Sequence, residues 1–399
     1  MTSGDELAEA LGGAYPELAD VAATAPDPVY LVGGAVRDLL LGRGRGDIDL
    51  VVEGDPRDLA AALGAEIVES HQRFGTLKVA LGRDGQGGSQ VRSGKQGIPR
   101  GVEILDIVAA RRESYARPGA LPTVELGAPI RTDLARRDFT VNAMAVPLAE
   151  PRELIDPYDG QVDLQAGVLR VIHRASFVDD PTRALRAARY AARFGFEIEP
   201  GTLELLEATD LATVTSDRRW GELRKLAEEE SAVRALELLA GWGLIDSREG
   251  GESFALAHEV DRLMAAPPWS EEADRAEAIL AAALGPEPRP RLSPSGRQAS
   301  GQRGGLAEAR PSRPSEAVRL ARGHDAIELV LARAAGAGWL DDWLRWREVR
   351  LEITGTDLTA AGLTGPAVGE ALEAALNAKL DGNASTRAAE LRIALAHPR

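Results

Sequence analysis

Asp47 and Asp49 are the residues of this 399-residue chain whose types and spacing most directly suggest chemistry. They lie two apart in Asp-Ile-Asp-Leu-Val-Val, and an extended strand turns both carboxylates to one face. Paired hard oxygen donors suit a divalent metal such as Mg2+. Just upstream, a hydrophobic segment beginning at Val29 ends at Gly33 and Gly34 and leads into a short amphipathic helix. The glycines leave room for a phosphate against backbone amides at a helix start, where anions are favoured. Metal ligands beside a triphosphate cradle are the equipment of phosphoryl or nucleotidyl transfer. Alone, an Asp-x-Asp or a Gly-Gly turn says little, because exposed strand ends and turns commonly carry them. The ordered combination of strand, Gly-Gly, helix and Asp-x-Asp on a second strand carries the signal.

Two more constellations follow. Arg136 and Arg137 offer adjacent guanidinium forks for phosphate oxygens. Asp138 and Asn142 supply polar groups for a ribose hydroxyl, and separating NTP from dNTP requires a buried partner for the 2′-OH. A surface turn before a buried strand explains the same residues equally well. The other constellation is Asp179-Asp180-Pro181-Thr182-Arg183, followed by Arg186, Arg189 and Arg193. Pro181 suits the first turn of a helix, on which 183, 186 and 190 share a face. An acid and an arginine together can read a base edge. With Asp180 accepting from an exocyclic amine and Arg183 donating to a ring acceptor, such a pair would accept C and A, which both carry the amine, over U and G. The competing reading, a capped helix with a solvated arginine face, is preferred for Arg193.

The elements that must position these residues read as an α+β chain. Residues 1–150 form a mixed α/β head, in which VYLVGG, DIDLVV, TLKVAL and VEILDIV are strands and a helix surrounds Pro56–Leu63. Residues 1–25 read as one or two helices. Gly82–Gly101 lacks hydrophobic periodicity and reads as a mobile, solvated insertion between two strands. Its basic residues offer RNA contacts as the lesser reading. The pattern then turns all-helical, with a neck over 151–245, a body over 246–284, a flexible Pro/Gly/Ser/Arg linker over 285–316 and a body and tail over 317–399. Helices are expected at Ala184–Phe194, Leu203–Thr209, Arg219–Leu244, Ala317–Trp346 and Pro366–Asn377.

Composition excludes several classes. Hydrophobic residues make up 44%, enough for real cores, and aromatics only 4%, so those cores are Leu/Ala/Val-rich. No cysteine is present, which removes disulfides, thiolate zinc sites and cysteine nucleophiles and fits a cytoplasmic protein. No apolar run is long enough to span a membrane, and the N-terminus lacks the pattern of a signal peptide. The net charge of −15 argues against sequence-independent coating of nucleic acid, since such binders are basic. No DNA partner is expected, and an RNA partner rests on motifs alone.

LVGGAVRDLLLG…DIDLVV, ILDIVAARRESYARPGALPTVELG, DLARRDFTVNAMAV and FVDDPTRALRAARYAARFGFEIEPGT, in this order, resemble the class II tRNA nucleotidyltransferases (CCA-adding enzymes) and the related bacterial poly(A) polymerases, of the polymerase-beta-type superfamily. SDRRWGELRKL resembles the family's next helix, and ITGTDLTAAGLTGPAVGEAL its distal helical region. The resemblance is nearly continuous from about residue 27 to 245. It implies that a tRNA 3′-OH attacks the α-phosphate of CTP or ATP, that pyrophosphate leaves, and that C, C and A are added without a template. It further implies two Mg2+ ions on Asp47 and Asp49, with Asp106 as a third carboxylate. Gly34, Arg37 and one of Arg136 and Arg137 contact phosphate, Asp138 the ribose, and Asp180 and Arg183 the base, while Arg186 and Arg189 hold or orient. Asp179 replaces a usual Glu, and the segments 82–101 and 285–316 are additions to the family pattern.

Alternatives share these motifs: a poly(A) polymerase, an enzyme adding only CC or only A, or an inactive RNA-binding relative. A regulatory protein nucleotidylyltransferase would not need the RRDFT block or an acid–arginine reader. Gly362 to Leu372 reads as a glycine turn entering a helix, more simply a helix–helix connection than a phosphate seat. Oligomeric state is not legible.

Overall fold

The computed structural model describes residues 4–43, 48–82, 102–246, 251–285 and 304–396. Asp47 and nearly all of the 82–101 insertion lie outside the described residues, as does 286–303 of the expected linker. The chain divides into two compact units, Met1–Leu244 and Ile245–Arg399. The expected head and neck therefore form one unit.

In the first unit, helices α1 (Gly4–Ala14) and α2 (Leu18–Thr24) precede β1 (Val29–Val32), α3 (Gly34–Leu40), β2 (Ile48–Val52), α4 (Pro56–Ala62), β3 (Glu66–His71), β4 (Thr76–Gly82) and β5 (Val102–Ala109). The hairpin of β6 (Arg111–Ser114) and β7 (Thr123–Leu126) follows, then α5 (Ile130–Ala135), β8 (Ala145–Pro147), α6 (Gly160–Ala166), β9 (Val168–Leu169) and α7 (Ser176–Asp179). The neck helices are α8 (Thr182–Phe194), α9 (Pro200–Glu207), α10 (Ser216–Ala227) and α11 (Ala232–Gly241), with β10 (Glu197–Ile198) before α9. The neck is helical apart from the short parallel pairing of β9 with β10.

Six strands form one sheet in the order β3-β4-β5-β2-β1-β8. Only β2 and β5 run parallel; the other neighbours are antiparallel. β1 and β2 are covered on both faces at Leu31–Val32 and Leu50–Val52, which is why they read as near-continuous Val/Leu runs, while β5 alternates buried and half-buried positions. Ile48, Leu50 and Val52 face one core with Leu31, Leu105 and Ile107, and that core continues through α1 to α4 into Ala184, Ala187 and Ala191 of α8. Val51 faces a smaller core with Val32, Ile130 and Leu134. Asp49, odd-numbered like Val51, shares this second face. The first core, which runs unbroken from sheet to α8, fixes the neck helix against β1, β2 and β5.

The second unit is helical: α12 (Gly251–Leu263), α13 (Arg275–Leu284), α14 (Gly304–Glu308), α15 (Pro314–Ala321), α16 (Ala326–Ala334), α17 (Leu340–Trp346), α18 (Gly355–Ala360), α19 (Pro366–Leu380) and α20 (Arg387–Ala396). Residues 304–316, expected within the linker, instead supply α14 and the first turn of α15. Leu306 and Ala317 are buried, so apolar side chains anchor a segment whose composition reads as loop. Helices α12 and α13 pack on α16, so the stretches on either side of 285–316 share one body. Gly362 and Gly365 form the turn between α18 and α19, with α19 starting at Pro366.

Leu50 is fully buried at the centre of β2. Leu50→Ala is expected to cost about 3 kcal/mol of stability, read as a lowered midpoint in urea with an unchanged slope.

Candidate active site

The strand register puts three charged residues in one row. Asp49 on β2 is the cross-strand partner of Asp106 on β5, and Asp106 is the partner of Lys78 on β4. Adjacent strands lie about 4.8 Å apart, so the two carboxylates are neighbours on one face. Lys78 Nζ lies 3.6 Å from an Asp106 oxygen. Like charges side by side repel, so this arrangement suits a shared cation, and hard carboxylate oxygens fit Mg2+. Among the described residues no group of three or more metal-ligating side chains is gathered, and Asp47 is not among those residues.

Gly33 has φ +64, a left-handed value that disfavours a side chain. A Cβ there would lie 2.7 Å from Arg137 Nη1. The space expected to admit a phosphate is thus bordered by a guanidinium at the start of α3, and Gly34 opens that helix. Arg136 and Arg137 are not equivalent. Arg136 is closed off, its Nε donating to Asp133 at 2.9 Å and its Nη1 to Glu113 at 3.0 Å. Arg137 donates Nη2 to Asp133 at 3.2 Å, while its Nε is buried without a hydrogen-bond partner. Of the two, Arg137 is the one positioned at the Gly-Gly turn.

A chain of buried polar contacts links α3 to the neck. Arg37 is 5% exposed, donates Nη1 to Asn142 Oδ1 at 2.7 Å and Nε to Asp38 at 2.9 Å, and stacks 4.3 Å from the Phe194 ring centre. Arg37 is thus held between Asn142 and Asp38 at the start of the neck-facing polar chain. Asn142 donates Nδ2 to Asp138 Oδ1 at 3.1 Å, fixing its amide orientation. Asp138 also accepts from Phe139 N at 2.9 Å and from Arg186 Nε at 3.0 Å. Arg186 Nη2 then lies 3.5 Å from Asp180.

Asp180 accepts from Thr182 N at 3.1 Å and Thr182 Oγ1 at 2.6 Å. Arg218 Nη2 donates to the same oxygen at 3.0 Å. Arg183, expected beside the base, is 3% exposed; it donates Nη1 to Ser176 Oγ and Nη2 to the Arg136 carbonyl, both at 2.6 Å. Arg189 reaches the Tyr190 hydroxyl at 3.3 Å and stacks on that ring, apart from the Asp138–Asp180 chain.

Burial alone would raise the Asp138 carboxyl, but Arg186, Asn142, Arg183 and the Phe139 amide hold it below the usual range. Burial opposes ionisation of Asp180 too, and Arg186, Thr182, Arg218 and Arg183 outweigh it. Arg186, which burial would lower, is raised by both carboxylates and stays charged. Both acids are thus anions with acceptor capacity, as reading a hydroxyl or an amine requires.

Sequence reading missed Asp133, Glu113, Ser176 and Arg218. Asp133 had a signal, since it precedes Arg136 and Arg137 by three and four residues on a helical pattern. Glu113, Ser176 and Arg218 meet their partners only through tertiary packing.

Residues 29–170 match the Poly A polymerase head domain family. The A-adding tRNA nucleotidyltransferase of Halalkalibacterium halodurans is 40% identical over 235 residues, covering 56% of this chain and 50% of that protein. The CC-adding tRNA nucleotidyltransferase of Deinococcus radiodurans is 34% identical over 359 residues, covering 86% of this chain and 82% of that protein. A solved structure of the Thermotoga maritima CCA-adding enzyme with tRNA superimposes with a TM-score of 0.72 at 27% identity, covering 98% of both chains. The fold is that of a nucleotidyltransferase head joined to a helical neck. The chain belongs to the class II tRNA nucleotidyltransferase family. It spans half the length of the Halalkalibacterium protein and only 24% and 25% of two other A-adding relatives.

Asp133 is fully buried and bonded to Arg136, Arg137 and the Arg111 amide, and those charges outweigh the burial that would raise its carboxyl. Its folded pKa is therefore depressed, and the stability it contributes is present above the unfolded value of about 3.9 and lost as pH falls through the folded one. Asp133→Asn is expected to cost about 3 kcal/mol at neutral pH. Denaturation across a pH series should show the gap from wild type closing only below about pH 4.

Proposed function

We propose that this chain is a template-independent RNA nucleotidyltransferase that adds C, C and A to the 3′ end of tRNA from CTP and ATP, releasing pyrophosphate. The observation that carries the reading is the buried chain from Asn142 through Asp138 and Arg186 to Asp180. It joins the ribose-side group to the base-side group, and Arg37 extends it to α3, the helix that begins at the Gly33–Gly34 turn. In this reading the tRNA 3′-OH attacks the α-phosphate of the nucleotide. Asp47 and Asp49, with Asp106 adjacent, would hold Mg2+, which when bound would neutralise charge on the triphosphate and lower the pKa of the attacking hydroxyl. Arg137, at the Gly33–Gly34 turn, receives phosphate oxygens. Asp138 accepts from the ribose 2′-OH, and Asp180 accepts from the exocyclic amine of C or A.

The partners are the tRNA 3′ end, CTP and ATP; the Thermotoga relative is solved with tRNA and other relatives with ATP and CTP. No described helix is long and apolar enough to cross a membrane. The proposed site of action is the cytoplasm. Partial addition is the second reading, because the relative aligned over 86% of this chain is a CC-adding enzyme.

tRNA lacking its 3′ end, incubated with labelled CTP, ATP and Mg2+, should gain three nucleotides and stop. Growth by two C, or by A only on a CC end, selects partial addition. Long A-tails select poly(A) synthesis, and RNA binding without incorporation an inactive relative. Asp49→Ala should abolish incorporation while tRNA binding in a gel-shift assay is retained; persistent activity removes the metal assignment.

Asp180→Ala should relax selectivity against UTP and GTP by on the order of tenfold or more, measured as the ratio of kcat/KM values. Unchanged selectivity would take Asp180 out of base recognition.

A further inference from the structure

The charged row across the sheet runs past the carboxylates that a metal needs. Cross-strand register sets Asp49 on β2 against Asp106 on β5, Asp106 against Lys78 on β4, and Lys78 against Glu69 on β3. Leu77 and Val79, the chain neighbours of Lys78, are buried in the main core, so Lys78 stands on the opposite face with the two aspartates. It therefore has an acid on each side. Glu69 lies 2.9 Å from His71 Nε2, whereas the Lys78 ammonium lies 3.6 Å from Asp106 Oδ1. The pair is half in solvent, with Lys78 42% and Asp106 33% exposed at their side chains.

We infer that Lys78 is the built-in counter-cation of the carboxylate pair, a positioning residue that acts through Asp106 and keeps divalent-cation affinity low while no nucleotide is present. The inference rests on the metal role proposed for Asp49 and Asp106. An ammonium beside Asp106 offsets one of the two negative charges and repels a cation that arrives alone. A triphosphate brings negative charge and oxygen ligands of its own, and Mg2+ is commonly held by one or two carboxylates together with substrate phosphates. The site is thereby tuned to take its metal with the nucleotide and to release it with pyrophosphate. Lysine suits this task better than arginine. Its charge is compact and strongly hydrated, and its flexible stem gives way without breaking a fixed fork. A pair this exposed is also weak enough to be displaced.

The test uses Mn2+ alone as the probe, titrated into the full nucleotide-free chain, with free Mn2+ read by electron paramagnetic resonance. Lys78→Met should bind Mn2+ about fivefold tighter at low salt. Most of that difference should vanish at about 1 M ionic strength, where the Debye length is about 3 Å. Lys78→Arg, which keeps the charge, should stay near wild type. In the Asp106→Asn background the same Lys78→Met change should tighten binding much less, because the lysine acts through that carboxylate. Melting temperature should hold in Lys78→Met, since exposed pairs contribute little to stability. The Mg2+ concentration giving half-maximal incorporation should fall in step with the Mn2+ affinity.

Unchanged or weaker Mn2+ binding in Lys78→Met overturns the inference. So does the full gain in the Asp106→Asn background, which would mean that the charge acts without Asp106. If Asp49→Ala binds Mn2+ as wild type does, the metal assignment fails and takes this one with it. Lost binding in Asp49→Ala without a gain in Lys78→Met rejects Lys78 alone.

Discussion

Asp138 is the interaction point on which the site depends. A carboxylate this deeply placed is tolerated only when its charge and lone pairs are met. Asp138 meets that condition with partners from three directions: its own chain at Phe139, Asn142 nearby, and Arg186 from the neck. Each partner is itself held, Asn142 by Arg37 and Arg186 by Asp180. The requirement to satisfy one buried anion therefore fixes the relative positions of α3, the Thr140–Asn142 turn and α8. The apolar core running from the sheet to Ala184 and Ala187 supplies the contact energy, and the polar chain supplies the register.

The row of Asp49, Asp106 and Lys78 follows a similar rule in a different medium. Here the partly exposed face of the sheet tolerates charge, and the strand register, not a dedicated network, creates the proximity. One half of the site is thus built by main-chain pairing and the other by side-chain pairing. The two halves share the segment from Arg136 to Asn142, which presents Arg137 to the glycine turn and Asp138 to the neck.

The fold was legible where local pattern and burial agree. β1, β2, β4 and β5 carry Val/Ile/Leu runs, and α8 carries helical spacing, so both appear where their residues indicate. Gly33 and Asp49 were legible as candidate site residues because turn chemistry and strand period place them, whereas Asp138, which a surface turn explains equally well, was singled out only through the resemblance. The division of labour among the arginines was not legible. Arg136, Arg137 and Arg183 look alike in sequence. Burial of Asp133 and Ser176, which no local pattern reveals, decides that one is closed off, one borders the glycine turn and one faces inward. Arg218 lay still further from view, since its pairing with Asp180 spans separate helices. Residues 304–316 misled for the opposite reason: a loop-like composition hides a few apolar side chains that suffice to seat α14 and α15.

Arg183 ties the neck to the head by donating to the main-chain carbonyl of Arg136, not to its side chain. Every amino acid offers that carbonyl, so the joint is indifferent to what residue stands at 136 and demanding only at 183. The seam is asymmetric in its tolerance of change: a substitution at 136 leaves the acceptor in place, and a substitution at 183 removes the donor.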